Sequence, residues 1–139
     1  MKFLVKKLFD DVELPTYAHS GDAAMDVYAR ENKILAPNER YVFKLGFATE
    51  FEDGYVCHVW DRSGLAAKKG LHTLAGVVDA TYRGEYGVVM LNTSQESVAI
   101  KKGDRIAQLV IQKVAHVDIE EVEALGSSER KGGFGSTGT

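Results

Sequence analysis

The sequence predicts an all-β fold, a sandwich, barrel or jelly roll, with one short helix and a glycine-rich tail. Three observations predict it. Short runs rich in β-branched and aromatic residues recur along the 139 residues. Turn-forming clusters separate them. Only one stretch has helical character. A chain of this length fits one domain and buries roughly two-thirds of its unfolded surface.

The elements follow in order. Lys2 to Leu8 is rich in apolar residues. Gly21 to Ala29 is a second strand-like run, unusual for carrying Asp26 among apolar neighbours. Arg40 to Leu45 is the third strand, and Tyr55 to Trp60 alternates as a half-buried strand does. Ser63 to Lys69 reads as the helix, with Ser63 as its N-cap and two alanines inside. Ala75 to Tyr86 reads as a hairpin flanked by Asp79 and Tyr82. Tyr86 to Leu91 is an apolar run suited to a strand covered on both faces, and Arg105 to Val114 is the last strand. Turns are expected at Ala36-Pro37-Asn38, Glu52-Asp53-Gly54, Asn92-Thr93-Ser94 and Lys102-Gly103-Asp104. From Gly126 to Thr139 the chain has five glycines, five Ser or Thr and no apolar period, the composition of a mobile tail. The organisation expected is a β domain over 1–125 and an arm over 126–139.

Composition narrows the functions. The net charge of −3 argues against a nucleic-acid coat or a membrane-surface protein, which need excess Lys and Arg. No apolar run approaches the roughly 20 residues of a membrane helix. The N-terminus is too short and charged for a signal peptide. A lone Cys57 leaves no internal disulfide and suits a reducing cytoplasm. His19, His58, His72 and His116 lack ligand-like spacing, so zinc is not expected. Cys57 and Trp60 read as packing residues.

Five clusters do not read as core. Asp26 is either a strand-edge carboxylate or one aimed at a hydrated cation. Asp61-Arg62-Ser63-Gly64 opens the helix; Arg62 offers a bidentate phosphate donor and Gly64 allows close backbone approach. Gly76-Val77-Val78-Asp79 with Tyr82 has a backbone that can read a flat base edge, an aromatic that can pack on a sugar, and a general base in Asp79. Asp104 and Arg105 read as a turn. Gln108 interrupts an apolar strand, and a buried amide needs partners, a ligand phosphate among them. In the tail, Arg130 and Lys131 supply charge, Phe134 can stack on a base, and Gly135, Ser136 and Thr137 can wrap an anion. Each cluster also has a plain structural reading: a turn carboxylate, a capped helix, a decorated hairpin, a disordered tail.

Taken in order, the five clusters resemble the five motifs of the trimeric dUTPase family. The resemblance runs from about Gly21 to Thr139. Val77-Val78-Asp79 with Tyr82-Arg83-Gly84-Glu85, and Gly133 to Gly138, are its most specific parts. It implies a jelly-roll-like distorted β-barrel (a β-clip), a homotrimer with shared active sites, Mg²⁺ as cofactor, and dUTP as substrate. It implies cleavage to dUMP and pyrophosphate, which limits uracil in DNA and supplies dUMP for dTMP synthesis. In this resemblance Asp79 activates the attacking water, and Asp26 helps hold the metal through water. Arg62, Ser63, Gly64 and Gln108 contact phosphates. Gly76, Val77, Val78 and Gly87 lie where uracil is recognised, over a deoxyribose walled by Tyr82. Phe134 is a lid over uracil, with Arg130, Gly135, Ser136 and Thr137 near the phosphates. A cytoplasmic location is expected, with a nuclear or virus-infected compartment as the alternative.

The chain departs from the family in places. Asp61 stands where Pro is usual, Ala24 replaces a usual Gly, and Thr81 replaces a usual Asp. Thr73 holds a place where some members have Asn. Arg130 is one residue nearer Phe134 than usual, and Glu129 holds the expected place. Among rivals, a dCTP deaminase needs a Glu on the strand after the third motif, where this chain has Val89 between Val88 and Met90. A nucleotide-binding regulator would have no use for Asp79 and the fifth motif. A ligand-free jelly roll would have none for the glycine-rich tail.

Overall fold

The computed structural model describes residues 1–129; Arg130, Phe134, Gly135, Ser136 and Thr137 lie outside them. The strands are β1 (Leu4–Lys7), β2 (Ala24–Tyr28), β3 (Lys33–Leu35), β4 (Arg40–Lys44), β5 (Phe47–Glu50) and β6 (Tyr55–Trp60). The helix α1 (Ser63–Lys69) follows, then β7 (Leu71–Leu74), β8 (Val77–Asp79), β9 (Gly87–Asn92), β10 (Val98–Ile100) and β11 (Arg105–Lys113). They form antiparallel sheets in the orders β1-β5, β10-β3, β2-β11-β6-β8 and β4-β9-β7. This is a jelly-roll-like β-clip built from small sheets. Among the described residues no helix is long and apolar enough to cross a membrane.

The core lies between the sheets. Phe43, Phe47, Tyr86, Leu35, Val88 and Leu109 are its fully buried centre. Cys57 is buried among them, as a small apolar residue would be. The buried Tyr86 hydroxyl accepts a hydrogen bond from the Thr49 hydroxyl at 2.7 Å. Asn92 Nδ2, also buried, donates to the carbonyls of Leu35 and Glu96 at 3.0 and 2.8 Å. Buried polar groups are tolerated on that condition.

Two local expectations are corrected. The helix spans Ser63–Lys69 as expected, but its N-cap is Arg62, in extended backbone, with no side-chain cap. The N–H groups of Leu65 and Ala66 close on the Arg62 carbonyl at 2.9 and 3.0 Å, so Ser63 is already inside the first turn. Nor do β8 and β9 pair as a hairpin. β8 pairs β6, while β9 sits between β4 and β7. The chain passes from one sheet to the other over 80–86, which opens a slot between them. Trp60, read as packing, is 57% exposed.

Candidate active site

Strand alternation assembles the first cleft. Gln108 of β11 lies opposite Asp26 of β2 and Trp60 of β6, so all three share the outer face of the four-stranded sheet. Arg62 and Ser63 follow directly from β6. The cleft, about 440 Å³, is lined by Asp26, Arg62, Ser63, Arg105 and Gln108 among others. Asp26 is only 8% exposed and committed to arginines. Its Oδ1 accepts from Arg62 Nε at 2.8 Å, and its Oδ2 faces an Arg105 guanidinium nitrogen at 3.4 Å. Arg62 also donates to the Arg105 carbonyl at 3.3 Å. Gln108 Nε2 donates to the Asp61 carbonyl at 2.7 Å, which gives its half-buried amide a partner within the chain. The Gly64 position is open: a Cβ there would meet nothing within 4 Å. Glycine in a helix costs about 1 kcal/mol against alanine, and no packing among the described residues demands it here.

The second cleft is the slot between the sheets, about 220 Å³, lined by Gly76, Val77, Val78, Asp79, Tyr82 and Gly87 among others. Ala75 and Gly76 both have positive φ, 61° and 116°, where the chain leaves β7 for β8. A Cβ on Gly76 would lie 2.6 Å from the Val59 carbonyl oxygen, so only glycine fits. β8 is an edge strand of its sheet, with one side free of ladder partners among the described residues. The Gly76 carbonyl accepts the Val59 N–H at 2.8 Å. In that register Val78 pairs inward with Cys57, while Val77 and Asp79 turn their backbone groups to the free side. The Tyr82 hydroxyl donates to the Glu85 carbonyl at 3.1 Å, and a Cβ on Gly84 would collide with the Tyr82 ring. The loop is pinned twice more. Glu85 accepts the Gly46 N–H at 2.9 Å, and Arg83 faces Glu50 at 3.7 Å. Asp79 is exposed, and its carboxylate has no hydrogen bond or ion pair among the described residues.

Asp26 and Asp79 lie at opposite ends of one face of the four-stranded sheet, and the slot opens at the β8 edge of that sheet. Asp79 pairs with Val56, four residues along β6 from Trp60. Asp26 stands level with Trp60, two strands across from it and three strands from Asp79. At strand spacing and rise, Asp26 and Asp79 are roughly 20 Å apart. Between them lies a row of Ala24, Val110, His58 and Val77. Val77 is 68% exposed, and Trp60 borders it.

Reading the sequence missed three contributors. Arg105 faces Asp26 although its neighbour Asp104 does form the expected turn, accepting the Lys101 N–H at 2.8 Å. Glu85 anchors the loop, a long-range contact with no local pattern. Asp61, noted only as an unusual residue, accepts from Thr73 and faces His72.

On a β-clip, the chain thus presents a guanidinium-lined cleft and a narrow slot between its sheets. A family model described as dUTPase matches residues 10–138. The chain belongs to the dUTPase family and is a dUTP diphosphatase, an enzyme that hydrolyses dUTP. It is 44% identical over 142 residues to the deoxyuridine 5'-triphosphate nucleotidohydrolase of Hydrogenobaculum sp., covering 99% of both chains. It is 42% identical over 137 residues to that of Clostridium tetani, covering 96% of this chain and 94% of the relative. Among solved structures, the Staphylococcus bacteriophage 80alpha dUTPase with dUPNHPP matches with a TM-score of 0.92 at 31% identity, covering 99% of each chain.

Proposed function

We propose that the chain works as a homotrimer whose active sites are each shared between copies, and that Asp79 activates the water that cleaves dUTP. The phosphate cleft of one copy faces the slot of the next. Arg62, Ser63, Gly64 and Gln108 hold the phosphates. Backbone groups of Gly76, Val77, Val78 and Gly87 read uracil, and Tyr82 walls the deoxyribose. The arm residues Arg130, Phe134, Gly135, Ser136 and Thr137 close the site in this reading. The observation that carries the proposal is the separation of the two clefts. The α-phosphorus cannot sit beside Asp79 while the same chain's Arg62 and Gln108, about 13 Å or more along the sheet, grip the same triphosphate. The exposed side chains of Trp60 and Val77 support the same reading, since they offer a second copy an apolar surface.

The chemistry follows from the two carboxylates. Asp26 is neutralised by arginines, whereas Asp79 is uncommitted among the described residues and free to take a proton. The water oxygen bonds the α-phosphorus, its proton passes to Asp79, and the α–β anhydride bond breaks to release pyrophosphate. No group of three His, Cys, Asp or Glu suited to a metal occurs among the described residues. One buried carboxylate whose oxygens face arginines at 2.8 and 3.4 Å is no resident site, but through water it can meet an ion that brings its own waters and substrate oxygens. Asp26, through water, would hold Mg²⁺ there. When bound, the ion supplies charge neutralisation across the phosphates and a chelate for the leaving pyrophosphate. The product roles in this reading are dUMP supply for dTMP synthesis and exclusion of uracil from DNA, in the cytoplasm.

The test is pyrophosphate release from dUTP, dCTP, dTTP and UTP, with and without Mg²⁺. Release from dUTP alone, lost on chelation, is expected. Asp79→Asn should lower kcat by about 10²–10⁴-fold with dUTP binding largely kept. Free ammonia from dCTP, or full turnover by Asp79→Asn, would overturn the reading.

A further inference from the structure

Asp61 follows Trp60 at the end of β6, immediately before Arg62, and lines neither of the two clefts. Its Oδ1 accepts from the Thr73 backbone N–H at 2.5 Å and from the Thr73 hydroxyl at 2.7 Å. Its Oδ2 faces Nδ1 of His72 at 2.7 Å. One carboxylate thus ties the end of β6 to two successive residues of β7. Its main chain points the other way: the Asp61 carbonyl accepts the Gln108 amide at 2.7 Å. The next residue, Arg62, is the N-cap of α1 and has no side-chain cap to steady it. The backbone that carries Arg62 into the cleft is therefore fixed by Asp61 just before it. The side chain is only 26% exposed, so these bonds form where water competes weakly.

We propose that Asp61 is a positioning residue for dUTP hydrolysis. Its carboxylate grips Thr73 and His72, and through that grip it sets where Arg62 and Gln108 stand in the phosphate cleft. The inference rests on the reading of Arg62 and Gln108 as phosphate contacts. Displacing a positioned group by about 1 Å can cost about 10²-fold in rate. Asp61 touches no reacting atom in this scheme, so its loss acts through geometry.

The experiment measures steady-state turnover of dUTP with Mg²⁺, and calorimetric binding of both dUMP and a non-hydrolysable dUTP analogue. The full-length proteins are Asp61→Ala, Asp61→Asn, Thr73→Val and Arg62→Ala, assayed below their melting points. Asp61→Ala should lose about 10- to 100-fold in kcat/KM and bind the triphosphate analogue more weakly, with dUMP affinity within about twofold of the parent. Asp61→Asn keeps an acceptor for Thr73 and should recover most of the rate. Thr73→Val removes only the hydroxyl bond and should fall between; it carries the test if Asp61→Ala does not fold. Parent-like turnover in both Asp61→Ala and Thr73→Val overturns the inference. So does an equal loss of dUMP and triphosphate binding, the mark of a general folding defect. If Arg62→Ala binds the triphosphate analogue normally, the phosphate reading of the cleft fails, and this inference falls with it.

Discussion

Asp26 and Asp79 differ in surroundings, not in chemistry. Asp26 has guanidinium groups at 2.8 and 3.4 Å and is buried, while Asp79 is exposed and has no partner among the described residues. A sequence lists both as aspartates on strands, and only the fold separates the anchored one from the free one. Cys57 is the opposite case, since its apolar neighbours already marked it as core. Burial pushes its thiol up to about 11, against a smaller downward pull from Tyr86. The thiolate is the reactive form. Cys57 should therefore resist a maleimide at neutral pH in the native protein and react fully after denaturation. Mass spectrometry of the labelled chain checks this, and rapid native labelling would contradict the burial. Asp61 gives a pH prediction. Burial raises its pKa, but the hydrogen bonds from His72 and Thr73 together outweigh that and hold it below the usual carboxylate value. A depressed folded pKa adds stability above the unfolded value and loses it as pH falls through the folded one. The melting-temperature gap between the parent and Asp61→Asn should be widest above about pH 4 and narrow on further acidification. A gap that widens in acid would show the sign to be wrong.

At the scale of elements, α1 and β6 were legible to the residue because each has a local signature. β6 alternates, and α1 has its two alanines and ends at Gly70, which adopts left-handed backbone at φ 64°. β3, β5, β7 and β10 were not legible. They are three or four residues long and earn their strand geometry from partners far along the chain, such as Leu71 opposite Asn92 and Phe47 opposite Lys7. The failed hairpin has the same origin. Nothing local reveals that β8 and β9 join different sheets. Gly64 gives a prediction at this scale. Gly64→Ala should stabilise α1 by about 0.5–1 kcal/mol, since its Cβ meets open space among the described residues. The same methyl should weaken triphosphate binding several-fold if the opening serves a ligand. A urea melt paired with an analogue titration reads both, and unchanged binding would show that the glycine has no role there.

For the whole molecule, the motifs in the sequence name candidate site residues but not their distribution. Spacing along the chain cannot say that Asp26 and Asp79 end up roughly 20 Å apart on one sheet face. Subunit mixing tests the consequence. Arg62→Ala and Asp79→Asn should each be inactive alone. Mixed in equal amounts and allowed to exchange, they should recover about a quarter of parental activity, the fraction of junctions where both contributing copies are intact in that half. Recovery of nothing would place each complete site within one copy. The described residues from 114 to 129 form no strand or helix, and they are exposed, with Ile119 at 95% and Leu125 at 89%. In the homotrimer proposed above, such exposed apolar side chains would meet another copy.

Because the two ends of the β2-β11-β6-β8 face serve different neighbours in this scheme, genetic dosage takes an unusual form. A defect at one end removes one centre from a ring of three, but a chain damaged at both ends silences two. Co-expressed with the normal protein, such a doubly damaged subunit would act as a dominant inhibitor out of proportion to its share of the chains.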